Sequence, residues 1–425
     1  MNTSLIIFED ARFSNFYPLT YLRPVYFLRP GIRNLSQKVI DSLPGCQVSL
    51  FCRSEIEDIV REQTEYAVNS FNGRHADETY LINGALKPNP EFMEALKKAD
   101  GSVVISDSDG GMVAVKVVGK LVDKEFEDLM NGNLEGFIGK VRSHADQMSI
   151  EIPYYNYLWE LMHDLPVQIK ADFDYVRGNK GDEYVTPDPE RYPGASFIVP
   201  EDILLGPDAE ILPGTVLDAS HGPILIDRRG RIEPHTYVIG PLYLGEESRL
   251  VGGKIEGSSI GPVCRIGGEL EESIIQGYTN KYHAGFIGHS YVGEWVNFGA
   301  MTTNSDLKNN YKSVTATVNG QSHDTGFLKV GSFIGDFTKT AIGTLLNTGI
   351  TIGLSCNILG NGLIAEKEIP SFTWYSSRHK MAYTIVQALE TIDRTMSRRD
   401  RKLTEALKGR LEEVSKASPI HAKKE

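Results

Sequence analysis

The chain has 425 residues, 41% hydrophobic and 24% charged, with 44 Lys and Arg against 56 Asp and Glu for a formal net charge of −12. That balance excludes disorder over most of the length and argues against bulk-charge binding to nucleic acid or an anionic membrane. Its four cysteines are scattered, with no Cys-x-x-Cys pair, which argues against a disulfide framework and a structural zinc site. No apolar run nears the ~18 residues of a membrane span. The N-terminus lacks the basic and long apolar regions of a signal peptide, so a reducing cytoplasmic setting is the expectation. Glycine is the outlier, at 41 residues, above the average of about 7%.

Residues 1–175 read as a mixed α/β domain. Short apolar or alternating runs predict strands at Leu5–Phe8, Val48–Cys52, Tyr80–Ile82, Val103–Ile105 and Met112–Val118. Helical spacing lies between them at Glu55–Val68 and Glu91–Lys98. Asp107, Asp109, Gly110 and Gly111 suggest the start of a calcium loop, but the remaining ligand spacing is missing. Placed between two strands, they read as a hairpin turn.

Glycine concentrates in residues 195–370. An aliphatic residue followed by glycine recurs at Leu205-Gly206, Leu244-Gly245, Ile260-Gly261, Ile334-Gly335 and Ile352-Gly353, among others, often on a six-residue beat. A hexapeptide period is the signature of a parallel β-helix, with aliphatic side chains stacked in a narrow prism. In this reading the glycine turns the corner. A β-sandwich is the alternative, and the fixed spacing argues against it. The beat breaks over 304–329, a polar stretch read as a loop thrown out of the helix and therefore a functional candidate. Residues 376–414 return to helical spacing, interrupted by the charge run Arg398–Lys402, read as a solvated turn, and Ser415–Glu425 look frayed.

Two stretches carry a family resemblance. The first is Pro18-Leu19-Thr20, then Arg23-Pro24, Leu28-Arg29 and Gly31; the second runs from Tyr282-His283 through His289 and Asn297 to Ala300. The chain resembles the GlmU-like family of sugar-1-phosphate nucleotidyltransferases that carry a left-handed β-helix. The resemblance implies a nucleotidyltransferase-like α/β domain, a left-handed parallel β-helix with acyltransferase character, and C-terminal helices. It further implies a homotrimer in which the 304–329 loop reaches a neighbouring subunit, a sugar phosphate or nucleotide sugar as substrate, and acetyl-CoA as acyl donor.

Residue by residue, the resemblance makes His283 the general base, Asn297 a substrate contact and Ala300 a backbone position near the thioester. A histidine suits the role because it titrates near working pH; an inert hydrogen-bonded corner histidine is the alternative. His289, on the same face, is a further candidate. Where the family offers a lysine to the sugar phosphate, this chain has Glu271 beside Glu272, so either the acceptor differs from glucosamine 1-phosphate or Lys281 or Lys254 takes over the role. The N-terminal domain departs further. Its glycine-lined phosphate loop is replaced by Glu9–Tyr17, its Pro-Lys by Pro24-Val25, and its Gly-Asp by Gly84-Ala85. Arg12, Arg23, Arg29 and Arg33 are then candidates to grip phosphate and Asp10 to hold Mg²⁺, with ordinary surface ion pairs as the alternative. Three functions compete: a GlmU-like acyl-transferring enzyme with a nucleotide- or sugar-phosphate-binding first domain, a sugar-1-phosphate nucleotidyltransferase with an atypical phosphate loop, and a non-catalytic binding protein.

Overall fold

We describe the protein from a computed structural model, over residues 2–71, 73, 75–107, 110–149, 154–179, 183–360, 362–376 and 379–421. The chain divides into two units: Met1–Ser14, Leu22–Leu28 and Arg33–Asn156 form the first, and Asn15–Tyr21, Arg29–Ile32 and Tyr157–Glu425 the second.

The first unit is built on a seven-stranded sheet. Its strands are β1 (Thr3–Phe8), β2 (Gln47–Phe51), β3 (Ala67–Val68), β4 (Glu78–Asn83), β5 (Val103–Ser106), β6 (Met112–Val118) and β7 (Asp146–Ser149), in the order β3-β2-β1-β4-β6-β5-β7. β1 to β4 run parallel, and β6 is antiparallel to β4 and β5. Leu5, Ile6 and Ile7 are buried, as continuous apolar strands covered on both faces must be. The chain winds outward from β1 to β3, then returns to place β4 on the other side of β1. The carboxyl ends of β1 and β4 are therefore a topological switch point, where open α/β sheets bind ligands.

The predicted helix Glu55–Val68 is shorter in the structure, at Glu57–Gln63. Ala67 and Val68 instead pair with Ser49 and Leu50 of β2, trading a helical turn for a ladder. The turn at Asp107 is a hairpin turn: Gly110 donates to the Asp107 carbonyl and Gly111 to its carboxylate. Asp109 lies outside the described residues.

The second unit contains the β-helix. Ile203–Leu205, Ile224–Ile226, Leu242–Leu244, Ser259–Ile260, Ile274–Gly277, Tyr291–Glu294, Ser332–Ile334, Ile350–Ile352 and Glu368–Ile369 stack into one parallel ladder. Ile224 pairs with Leu242 and Ser332 with Ile350, so one coil takes three hexapeptides. Ile226, Leu244, Ile260, Ile275, Val292, Ile334, Ile352 and Ile369 run down the interior as a buried column. The excursion after Asn304 is a hairpin, Thr315–Val318 against Gln321–Asp324. Its Val314 and Ala316 are buried, and its tip at Gly320 donates to the Glu368 carboxylate, so it lies along its own chain's coils.

Glycine plays a different role from the one its position suggests. Gly206, Gly245, Gly261, Gly335 and Gly353 lie where the backbone of the neighbouring coil passes. A Cβ on Gly261 would sit 2.0 Å from the Gln276 carbonyl oxygen, and one on Gly353 2.4 Å from the Ser371 nitrogen. The left-handed corner falls two residues later, on Asp208, Glu247, Val263, Phe337 and Ser355, at φ values from 52 to 61°.

The C-terminal segment forms helices Ile385–Ser397 and Glu405–Ala417. The expectation of a frayed end from Ser415 is corrected up to Ser418: Val414, Ser415 and Ser418 are buried, and the Ser418 hydroxyl donates to the Ser371 carbonyl at 2.6 Å. Residues 422–425 lie outside the described residues.

The crowding at glycine is testable by calorimetry. We expect Gly261→Ala and Gly353→Ala each to cost about 1–3 kcal/mol, the usual penalty of overpacking. Gly409→Ala, in an exposed helix with open space around the site, should instead stabilise by about 0.5–1 kcal/mol.

Candidate functional site

On the β-helix, Tyr282 and His283 stand exposed at a corner between Asn280–Lys281 and Phe286–Gly288. The next coil carries the other sequence-derived residues. Met301 donates its N–H to the Ala284 carbonyl at 2.7 Å, and the Ala300 carbonyl accepts from Gly343 on the coil beyond, at 2.8 Å. Asn297 is exposed and accepts from the Asn280 amide at 3.0 Å. His283, Asn297 and Ala300 thus stand on adjacent coils of one corner region. Beside them lies a column of exposed aliphatic side chains: Met301, Ile342 at 77% exposure, Leu345 and Leu363 at 54%. Leu345 and Leu363 are paired in register.

Lys281 is corrected as a phosphate ligand. It is 2% exposed, and its ammonium donates inward to the carbonyls of Gly267 at 2.6 Å and Gly285 at 2.7 Å. Burial lowers its pKa to about 8. Lys254 is paired with Glu256 at 2.6 Å. Neither replaces the positive charge that Glu271 and Glu272 displace.

Next to this corner lies a charged cluster only half visible in the sequence. His289 Nδ1 meets the Asp306 carboxylate at 2.8 Å and Nε2 meets Glu272 at 3.1 Å, while Lys329 Nζ holds Glu271 at 2.9 Å. Burial pulls the His289 pKa down, but the bonds to Asp306 and Glu272 outweigh it and push it up to about 9. His163 donates from Nε2 to the Lys329 carbonyl at 3.1 Å or, in the other tautomer, faces it, and its ring stacks on Phe327 at 3.5 Å. Asp306 and Lys329 mark the two ends of the excursion, where the Val330 N–H reaches the Asp306 carbonyl. No local pattern joins them, so sequence reading saw only the polar stretch between.

In the first unit a cavity of about 720 Å³ opens at the ends of β1 and β2, lined by Glu9, Asp10, Phe13, Cys52, Arg53 and Glu57 among others. Glu9 and Arg53 form a buried ion pair at 2.7 Å, and Glu9 also accepts the backbone N–H groups of Arg53 and Val25. Desolvation nonetheless raises the Glu9 pKa. The Arg53 guanidinium lies over Phe13, 4.2 Å from the ring centroid. Sequence reading missed this pair. Its signal was one residue following each of two strands, informative only once Phe8 is known to pair with Phe51.

Asp10 does not fit the metal role expected of it. Its carboxylate accepts from Arg12 at 2.6 Å and 2.8 Å, from the Arg12 N–H at 2.9 Å and from the Asn83 amide at 2.8 Å. Ala85, at the usual carboxylate position, is buried. These donors already neutralise the one candidate ligand, so the residues present do not make a Mg²⁺ site. The arginines are likewise engaged. Arg12 also reaches Asp107 at 3.3 Å, Arg33 pairs with Asp41 at 2.6 Å, and Arg23 is buried in the first unit. Arg29, in the second unit, binds the Ile32 carbonyl through its guanidinium and the Tyr291 hydroxyl through its N–H.

The first unit is an α/β sheet with a cavity at the ends of β1 and β2, and the second carries a hexapeptide β-helix. Residues 5–180 match the family model described as sugar nucleotidyl transferase. The bifunctional sugar-1-phosphate nucleotidylyltransferase/acetyltransferase of Sulfurisphaera tokodaii is 29% identical over 162 residues, 38% of this chain and 36% of that protein. The bifunctional protein GlmU of Methanocaldococcus jannaschii is 29% identical over 115 residues, 27% of this chain and 28% of that protein. Among solved structures, the bifunctional IspDF from Campylobacter jejuni is similar at 14% identity with a TM-score of 0.25, covering 39% of this chain and 53% of that one. The chain is thus similar over part of its length to sugar nucleotidyl transferases and to GlmU proteins. It spans about a third of the length of the curated relatives it matches.

Two predictions follow from the buried charges. Arg53→Met should cost about 3–5 kcal/mol in denaturation, because it strands the Glu9 carboxylate, and the double variant with Glu9→Leu should recover most of that loss. Lys281, with a folded pKa near 8 against 10.5 unfolded, favours the neutral amine in the folded state. Its contribution is present above the unfolded value and is lost as pH falls through the folded one. Wild type should therefore gain stability relative to Lys281→Met as pH is raised across that window, as followed by denaturant melts.

Proposed function

We propose that the protein is a GlmU-like transferase whose β-helix carries out CoA-dependent acyl transfer, with acetyl as the simplest acyl group. In this reading its first unit binds a sugar phosphate or nucleotide sugar. The observation that carries this is the exposed His283 beside Asn297 and Ala300 on adjacent coils, flanked by an uncovered aliphatic column. Acetyl-CoA would supply the activated acyl group. His283 takes the proton from the acceptor amine as nitrogen attacks the thioester carbonyl, and its exposure lets that proton pass to solvent or to the departing thiolate. Asn297 orients the acceptor, and the backbone at Ala300 lies along the thioester; most of the rate comes from this positioning. A second and third copy of the chain would cover the Met301, Ile342, Leu345 and Leu363 column, giving a homotrimer in the cytoplasm.

A second reading, an active sugar-1-phosphate nucleotidyltransferase with an atypical phosphate loop, is favoured by the family match over residues 5–180. Against it stand the carboxylates Glu9, Asp10, Glu57 and Glu135 around the cavity, where Arg53, the lining arginine among the described residues, is already paired with Glu9. Carboxylates repel a bare triphosphate. A non-catalytic binding protein would show neither activity.

Thiol release from acetyl-CoA with a panel of amino sugars and their phosphates tests the leading reading. We expect turnover by wild type and a loss of about 10²–10⁴ in His283→Ala, with the fold retained by circular dichroism. Equal turnover in the variant removes His283 from the mechanism. Pyrophosphate release from UTP or dTTP with sugar 1-phosphates and Mg²⁺ above ~1 s⁻¹, within the ordinary enzyme range, would favour the second reading.

A further inference from the structure

The cluster around His289 is more than a set of ion pairs. One donor atom from each of Glu271, Glu272 and His289 lies within 4.8 Å of the others. His289 Nδ1 faces Asp306 at 2.8 Å and Nε2 faces Glu272 at 3.1 Å, so an ion would take the place of the Nε2 proton while Nδ1–H stays on Asp306. That is the arrangement of a metal-ligating histidine, whose second nitrogen is held by a carboxylate in the outer shell. Three carboxylates converge here, held by Lys329 on Glu271 and by the His289 ring on Glu272 and Asp306. The other titratable neighbours are His163, 6.4 Å away between ring centroids and engaged at Nε2 by the Lys329 carbonyl, and Lys254, which is held by Glu256. A divalent ion with a neutral imidazole, together with Lys329, would balance Glu271, Glu272 and Asp306.

The scaffold is rigid. The His289 N–H donates to the Glu271 carbonyl at 3.0 Å, and its carbonyl accepts from Gly331 at 2.7 Å, so the donors sit on hydrogen-bonded neighbouring coils. The histidine is 3% exposed, but the Glu272 side chain is 45% exposed, which gives an ion a way in from solvent.

We propose that Glu271, Glu272 and His289 bind one zinc-like divalent transition ion, with Asp306 orienting the histidine. The mixed nitrogen and oxygen donors favour Zn²⁺ or Mn²⁺ over the all-oxygen preference of Mg²⁺. The proposal is independent of acyl transfer: it concerns binding and holds or fails whatever His283 does.

The test is isothermal titration of the chelator-treated full chain with Zn²⁺, repeated with Mg²⁺, alongside the visible absorption of the Co²⁺-loaded protein. We expect one saturable Zn²⁺ per chain and a Co²⁺ spectrum that vanishes in His289→Gln. Glu272→Gln, isosteric and at a half-buried position, should weaken binding at least tenfold. Asp306→Asn should weaken it about 10- to 100-fold, the usual effect of removing an outer-shell partner. Lys329→Met, which frees Glu271, should bind at least as tightly as wild type. Absence of saturable Zn²⁺ binding, affinity unchanged in Glu272→Gln, or equal affinity for Mg²⁺ would each overturn the proposal.

Discussion

Successive coils of the β-helix approach so closely at glycine that no side chain fits between them. At Gly261 the neighbouring carbonyl oxygen occupies the place a Cβ would need, and at Gly245 the Gly261 carbonyl carbon is 2.7 Å from that place. This approach sets the spacing of the coils. It lets the interior aliphatic residues stack in register, and it obliges left-handed corners on residues such as Val263, whose branched side chain normally avoids that conformation. The stacked core offsets the corner strain, because each buried aliphatic side chain contributes about 1.5–3 kcal/mol. Everything of functional interest in the second unit is hung on this spacing: His283, Asn297 and Ala300 stand on adjacent coils because the coils stack this way.

Around that rigid column the chain handles charge by burial and pairing. Lys281 is folded inward onto carbonyls, Arg53 and Glu9 close on one another under the first-unit cavity, and His289 sits between carboxylates. In each case the charged group is already paired or hydrogen-bonded. His283 differs: it is exposed, on a face whose aliphatic side chains are left uncovered. This contrast between occupied charges and an exposed histidine supports the proposal that chemistry takes place at the β-helix corner rather than in the first-unit cavity.

The fold was legible where its cause is periodic. The hexapeptide beat, the strands of the first unit and both C-terminal helices follow from the spacing of apolar residues, which burial enforces along the chain. Features set by contacts between distant segments were not legible. The role of glycine depends on a carbonyl from the next coil. Ala67–Val68 became a strand because β2 offered an edge. Val414–Ser418 were read as a frayed end, yet Ser418 is anchored on Ser371. At the candidate site, exposed His283 and Asn297 could be read from motif position, whereas the inward turn of Lys281, the Glu9–Arg53 pair and the joining of Asp306 to His289 required the fold.

Hydrogen–deuterium exchange with and without acetyl-CoA tests most directly whether the β-helix corner is the working site. Exchange should slow in the backbone amides of the adjacent coils around residues 282–288, 297–304 and 339–346, with the first-unit segments 8–13 and 51–57 unchanged. Slowed exchange confined to the first-unit segments, or no change anywhere at saturating acetyl-CoA, would contradict it.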